Sequence, residues 1–231
     1  MTGKEKVLCL ALLICPLLLG GCHKQKSNAL KIDKANKTPA ELKKAGLLRT
    51  LDRKFENSDA HFELGQLYHA DGMWSKAQYH YNIALSFAPV HRPAQAAMVK
   101  VLLDSGDNAK AKVTADIYIN QVSNSATESL KLGLAFQKQL LDNYALSCYQ
   151  QALYLAPNSA KIHRQIGYYY LSKKDRVRAT EYLSRSFQLD PRQAEVAGEL
   201  GRLGVQVRIP QKTQKNTKKL DKIVEQSDKK D

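Results

Sequence analysis

Three glycines near the end of the chain, Gly198, Gly201 and Gly204, invite a phosphate-binding reading. A loop that cradles phosphate needs G-x-G-x-x-G after a strand, or a Gly-rich turn closed by Lys-Ser/Thr, so that backbone N–H groups converge on the anion. The spacing here is G-x-x-G-x-x-G, with no strand signal before it and no Lys-Ser/Thr after it. The six histidines, His23, His61, His69, His80, His91 and His163, could bind a metal or move protons. None forms H-E-x-x-H, and no Cys-x-x-Cys pair is available to complete a zinc site. No G-x-S-x-G elbow presents a nucleophilic serine. The sequence therefore predicts no catalytic residue, no metal, no cofactor and no small-molecule substrate, and a protein that is not an enzyme.

The four cysteines carry more information. Cys148 falls inside a predicted helix beside core positions, where a buried thiol is inert. The other three lie in the first 22 residues. Lys4 and Lys6 precede an apolar run from Val7 to Leu19, broken only by Pro16. That run suits a secretory signal and is short of the roughly 20 residues needed to span a bilayer. It ends in Leu19-Gly20-Gly21-Cys22, which resembles the lipobox of bacterial lipoproteins. The resemblance implies that Cys22 becomes the first mature residue and carries a lipid. The alternatives are a plain signal peptide cleaved near Gly21, or an uncleaved anchor. By the same resemblance, His23 rather than Asp after the cysteine favours an outer-membrane position facing the periplasm.

The formal charge of +14 suggests nucleic acid until its distribution is read. Residues 23–57 carry ten Lys/Arg against four acids, and 208–231 carry eight against four, while 58–207 carry sixteen against thirteen. The middle is nearly balanced and the excess lies in the flanks. Basic flanks beside a lipid anchor suit anionic head groups, or serve as a solvated tether. No nucleic-acid partner is expected.

The elements follow from the apolar periodicity. Residues 23–37 read as a flexible tether, and residues 38–57 as a capping helix opened by a Thr38-Pro39-Ala40-Glu41 capping box. Its predicted stripe is Leu42, Ala45, Leu48, Leu51 and Phe55. From Ser58 a 34-residue period appears, giving units 58–91, 92–125, 126–159 and 160–193. The first holds Leu64-Gly65, Tyr68, Gly72, Ala77, Tyr81, Ala84 and Pro89; the third holds Leu132-Gly133, Phe136, Ala145, Tyr149, Ala152 and Pro157. The fourth has Ile166-Gly167, Tyr170, Ala179, Leu183 and Pro191. The second keeps Leu102, Gly106 and Ala111, but has Val99, Ala115 and Ser123 where the others have a small residue, a large one and Pro. Residues 194–204 begin a fifth first helix, with Leu200-Gly201 in register, and close the repeat region 58–207. Residues 208–231 read as a basic disordered tail.

This pattern resembles the tetratricopeptide repeat family over about 136 of the 231 residues. The resemblance implies an all-α, right-handed superhelical solenoid of antiparallel helix pairs. Its usual Trp is replaced by His61, Gln95, Ser129 and His163. Small residues let helices approach, aromatics fill the gap between them, and Pro ends the second helix; one unit cannot bury its apolar face alone, so stacking completes the core. Within the Tyr168-Tyr169-Tyr170 run, Tyr170 is expected in the core, and Trp74 is expected to pack. The degenerate second unit is expected to pack less tightly or to bend the stack.

In this family the first helices line a peptide-binding groove. Carried over by register, its residues are Phe62, Gln66 and His69, then Lys100 and Leu103, then Leu130, Leu134 and Gln137, then Arg164, Tyr168 and Leu171. The mixture predicts an apolar, basic surface for a peptide of acidic character. The expected function is a lipid-anchored scaffold or adaptor in the bacterial cell envelope, holding another envelope protein or a peptide segment. Pilus secretin pilotins and repeat-bearing assembly lipoproteins share this layout of anchor plus repeats. The alternative is an envelope-surface binder that uses its basic flanks on anionic lipid or cell-wall polymer.

Overall fold

A computed structural model describes residues 38–208. They form ten α-helices, and no strand occurs among them. The helices are α1 (Pro39–Arg53), α2 (Ser58–Ala70), α3 (Trp74–Phe87), α4 (Arg92–Asp104), α5 (Asn108–Gln121), α6 (Ala126–Lys138), α7 (Asp142–Leu155), α8 (Ala160–Ser172), α9 (Arg176–Leu189) and α10 (Ala194–Arg202). The chain divides into two compact units between Lys43 and Lys44, inside α1. In the first, the Thr38 backbone N–H donates to Glu41 Oε2 at 2.7 Å and Glu41 N–H donates to Thr38 Oγ1 at 3.3 Å, a closed capping box. The leader, Cys22, the tether and residues 209–231 lie outside the described residues.

In the second unit the 34-residue period becomes geometry. The even-numbered helices from α2 start at 58, 92, 126, 160 and 194, and α3, α5, α7 and α9 start at 74, 108, 142 and 176. The four complete pairs join a 13-residue first helix to a 14-residue second one. Each turn between them holds one residue at positive φ: Gly72, Gly106, Leu140 and Lys174. Glycine adopts that conformation freely, whereas leucine and lysine are strained by it.

Close approach explains the paired glycines. A Cβ built on Gly65 would lie 2.6 Å from the Tyr81 ring, one on Gly133 2.6 Å from Tyr149, and one on Gly167 2.6 Å from Leu183. On the second helices, Ala77, Ala111, Ala145 and Ala179 are fully buried. The second repeat solves the same problem with sizes exchanged. Val99 stands at the glycine position and Ala115 at the aromatic one, both fully buried. The aromatic is moved by about one turn, to Tyr118, which packs on the same core. The exchange has a consequence for α5, which meets α4 over fewer residues than the second helices of the other pairs meet theirs. It buries only Ala111 and Ala115 and leaves Val113 and Ile117 half-exposed or more. The helix α4, by contrast, is enclosed by α3, α5 and α6.

The residues at the family's Trp position share one task. His61 Nε2 reaches the Phe55 carbonyl at 2.9 Å, and His163 Nε2 the Pro157 carbonyl at 2.8 Å. Gln95 Nε2 donates to Pro89 O at 2.9 Å, and Ser129 Oγ to Val122 O at 2.9 Å. All four side chains are buried. Each bonds a linker carbonyl where the chain enters a first helix; the Val122 carbonyl also accepts from the Ser125 N–H at 3.0 Å, and the other three are bonded by these side chains.

Three expectations are corrected. In α1 the residues against the first repeat are Leu47 and Leu51, packed on Ala60 and Leu64, while Leu42, Leu48 and Phe55 are exposed. In α8 the fully buried tyrosine is Tyr169, whose ring meets Tyr149 at 5.8 Å. Tyr170 is half-buried, stacked on Tyr182 at 5.6 Å with the Arg178 guanidinium 5.2 Å from its ring. The first repeat builds the same sandwich from Tyr68, His80 and Lys76. Gly201, a small residue in the repeat register, has open space around it among the described residues rather than a closely packed neighbour.

Candidate interaction face

The first helices α2, α4, α6 and α8 place the predicted groove residues at recurring positions. In α2, Phe62 is half-buried, its ring 4.8 Å from His91 and 6.0 Å from Tyr81. Gln66 is exposed one turn on. His69 Nε2 donates to Asp104 Oδ2 at 2.8 Å, and its Nδ1 accepts from the Tyr81 hydroxyl at 3.5 Å. In α4, Lys100 pairs with the other oxygen of Asp104 and Leu103 is half-buried. Burial alone would raise the Asp104 carboxyl, but Lys100 and His69 outweigh it and hold it below its usual range.

In α6, Leu134 is half-buried and packs on the core, and Gln137 Oε1 accepts from the Tyr149 hydroxyl and from Gln165 Nε2. Leu130 is 4% exposed and belongs to the core cluster, so it is removed from the face. In α8, Arg164 donates to Gln193 at 3.2 Å, while Tyr168 and Leu171 pack at the edge of the Leu183, Val196 and Leu200 cluster. Burial raises the Tyr168 phenol, and Glu195 and Glu199 add to it.

The expected basic character is corrected in the first two repeats. Lys100 spends its charge on Asp104, and His69 donates its Nε2–H to the same carboxylate. Arg92, buried at the start of α4, reaches Glu128 through Nε at 3.2 Å and Nη2 at 3.1 Å, and Lys131 binds the same carboxylate. Lys131, ahead of Arg92, holds the Glu128 carboxyl below its usual range. These groups join one repeat to the next, leaving the half-buried apolar side chains as the features that recur without a polar partner. Sequence reasoning missed Asp104, Arg92 and Glu128. Asp104 was open to inference as the i+4 partner of Lys100; the Arg92–Glu128 pair spans two repeats and leaves no local signal.

Elsewhere, Cys148 is fully buried and its thiol is pushed up to about 12 by burial, the state of an inert core cysteine. Among the described residues no group of three or more His, Cys, Asp or Glu could hold a metal ion. No helix among them is long and apolar enough to cross a membrane.

Stacked antiparallel helix pairs at a fixed 34-residue period, with complementary small and large residues inside each pair, define an all-α repeat fold of tetratricopeptide type. A family model described as the Est1 DNA/RNA binding domain matches residues 145–190, the stretch from α7 to α9. The chain is 26% identical over 211 residues to the BBSome complex member BBS4 of Bos taurus, covering 85% of this chain and 41% of that protein. It therefore spans about two-fifths of the length of this curated relative. Among solved structures, it is similar to YrrB, described as a TPR protein with an unusual peptide-binding site, at 18% identity and a TM-score of 0.37, covering 76% of this chain and 88% of that one. It is also similar to pilF of Pseudomonas aeruginosa, at 24% identity and a TM-score of 0.36, covering 63% and 67%. The fold assignment rests on the chain's own helix geometry rather than on these alignments.

Proposed function

We propose that this chain is an exported scaffold, anchored by a lipid on Cys22, that holds another envelope protein or a peptide segment on the face of its first helices. The observation that carries the reading is the repetition of half-buried apolar side chains along one face: Phe62, Leu103, Leu134, Tyr168 and Leu171. An extended or helical segment with apolar anchors at repeat spacing would bury them. The bovine relative is by its description a member of a multi-protein complex, which fits a holding role. The layout of leader plus repeats fits assembly of an outer-membrane, pilus or secretion complex. The charge compensation at Asp104 and Glu128 argues for apolar anchoring rather than for an acidic ligand.

Two experiments test the two halves. Replacing Leu134 and Tyr168 together with Ala should abolish partner capture, with helix content followed in parallel; undiminished capture by the folded variant sinks the face assignment. Cys22→Ser should end incorporation of labelled palmitate and release the protein from the membrane fraction. Continued labelling would remove Cys22 as the anchor.

A further inference from the structure

The helix α10 stands in the register of a first helix, and no second helix follows it among the described residues. Its inner side, Val196, Leu200 and Leu203, packs on Leu183 and Phe187 of the fourth repeat. Its other side carries Gly201 and Gly204, and Ala197, buried in the same cluster, stands at the border between the two sides. In register, Ala197 and Gly201 correspond to the residues that face the second helix of every complete repeat, His61 and Gly65 in the first. The three earlier glycines at this position are each covered by a Tyr or Leu from that second helix, close enough that a Cβ would lie 2.6 Å away. At Gly201 a Cβ would meet nothing within 4 Å among the described residues. A cavity of about 830 Å³ lies there instead, bordered by Ala194, Ala197, Gly198, Gly201, Val205 and Val207.

We propose that the chain's own segment 217–227 occupies this cavity and completes the fifth repeat. The length suffices: 23 residues follow Arg208 in the sequence, against 14 in each second helix. Residues 209–216 form a linker of eight, able to reach about 26–29 Å when extended, longer than a 14-residue helix at about 21 Å. The pattern suffices as well. Leu220, Val224 and Ser227 stand at i, i+4 and i+7. The buried residues of α9 that face α8 are Ala179, Leu183 and Ser186, at the same spacing and also ending in serine. Ile223 widens the apolar stripe. In this alignment Val224 takes the place over Gly201 that Leu183 holds over Gly167. A valine is smaller than leucine or tyrosine, which suits an α10 that is four residues shorter than the other first helices.

Hydrogen exchange read by mass spectrometry on the full chain tests this. The amides of 217–227 should exchange at least about tenfold more slowly than an unstructured chain, and Val224→Asp should remove that protection and speed exchange in 194–204. Peptides from α2 to α9 should be unchanged, which shows that the variant remains folded. Gly201→Leu, which fills the cavity from the α10 side, should release 217–227 in the same way. The proposal is overturned if 217–227 exchanges at the unstructured rate in the unaltered chain, or if Val224→Asp leaves its protection intact. It is also overturned if protection disappears on dilution, which would assign the cavity to a second copy of the chain.

Discussion

The exchange of sizes between Gly133/Tyr149 and Val99/Ala115 can be transplanted. Valine at 133 would add a Cβ where that atom alone lies 2.6 Å from Tyr149 Cε1, 2.7 Å from Cδ1 and 3.0 Å from Cys148 Cβ. Overpacking of this kind costs about 1–3 kcal/mol. Tyr149→Ala alone removes a fully buried ring and its hydroxyl bond to Gln137. By analogy with large-to-small aromatic substitutions, that costs about 3–5 kcal/mol. The double variant rebuilds the arrangement of the second repeat, because the valine methyls enter space vacated by the ring. Its destabilisation should therefore fall short of the sum by about 1–2 kcal/mol, a coupling expected of residues in direct contact. Urea unfolding followed by far-UV circular dichroism on the four proteins of the cycle measures this. Losses that add to within about 0.5 kcal/mol would show that the two positions do not compete for one space.

Other predictions concern linkers, turns and protonation. Gln95→Ala leaves the Pro89 carbonyl without its partner and should cost about 1–3 kcal/mol; an unchanged unfolding midpoint would remove this anchor from the account. Leu140→Gly and Lys174→Gly, at the two strained turns, should each be neutral to stabilising by up to about 1 kcal/mol, whereas a clear loss in thermal unfolding would contradict the strain. His80 is held at about 4, first by burial and second by the neighbouring His61, 3.0 Å away between Nδ1 atoms. The folded value lies below the unfolded one, so the stability from the neutral ring is complete above about pH 6.5 and is lost as pH falls toward 4. At 1.36 kcal/mol per unit the ceiling is about 3 kcal/mol, and partial solvation of the ring reduces it to about 1–2 kcal/mol. His80→Gln should flatten the fall in melting temperature between pH 7.5 and 4.5; parallel curves for the two proteins would refute the assignment.

Much of the fold is legible in the sequence because the period is exact. Gly65, Gly133 and Gly167 face large side chains, and the first helices start 34 residues apart, as the spacing requires. What the sequence conceals is phase and compensation. Successive residues on a helix are about 100° apart, so a one-residue error in α1 exchanges Leu47 for Leu48, and one in α8 exchanges Tyr169 for Tyr170. Position 170 also depends on the residue that stacks on it, Tyr182, which the repeat pattern does not fix. The second repeat reads as degenerate because its small and large residues are judged one at a time, whereas Val99 and Ala115 make sense only as a pair. On the candidate face, Leu130 follows the helical stripe yet is enclosed. Lys100 and His69 read as unpartnered until Asp104 is placed between them.

The central claim is that the first-helix face holds the partner. A photo-reactive residue at position 66, exposed in α2, and another at position 113, exposed on α5, compare that face with the opposite helix layer in intact cells. A discrete cross-linked species is expected from position 66, lost with the Leu134→Ala/Tyr168→Ala pair, and none from position 113. Cross-linking from 113 with none from 66 would contradict the claim.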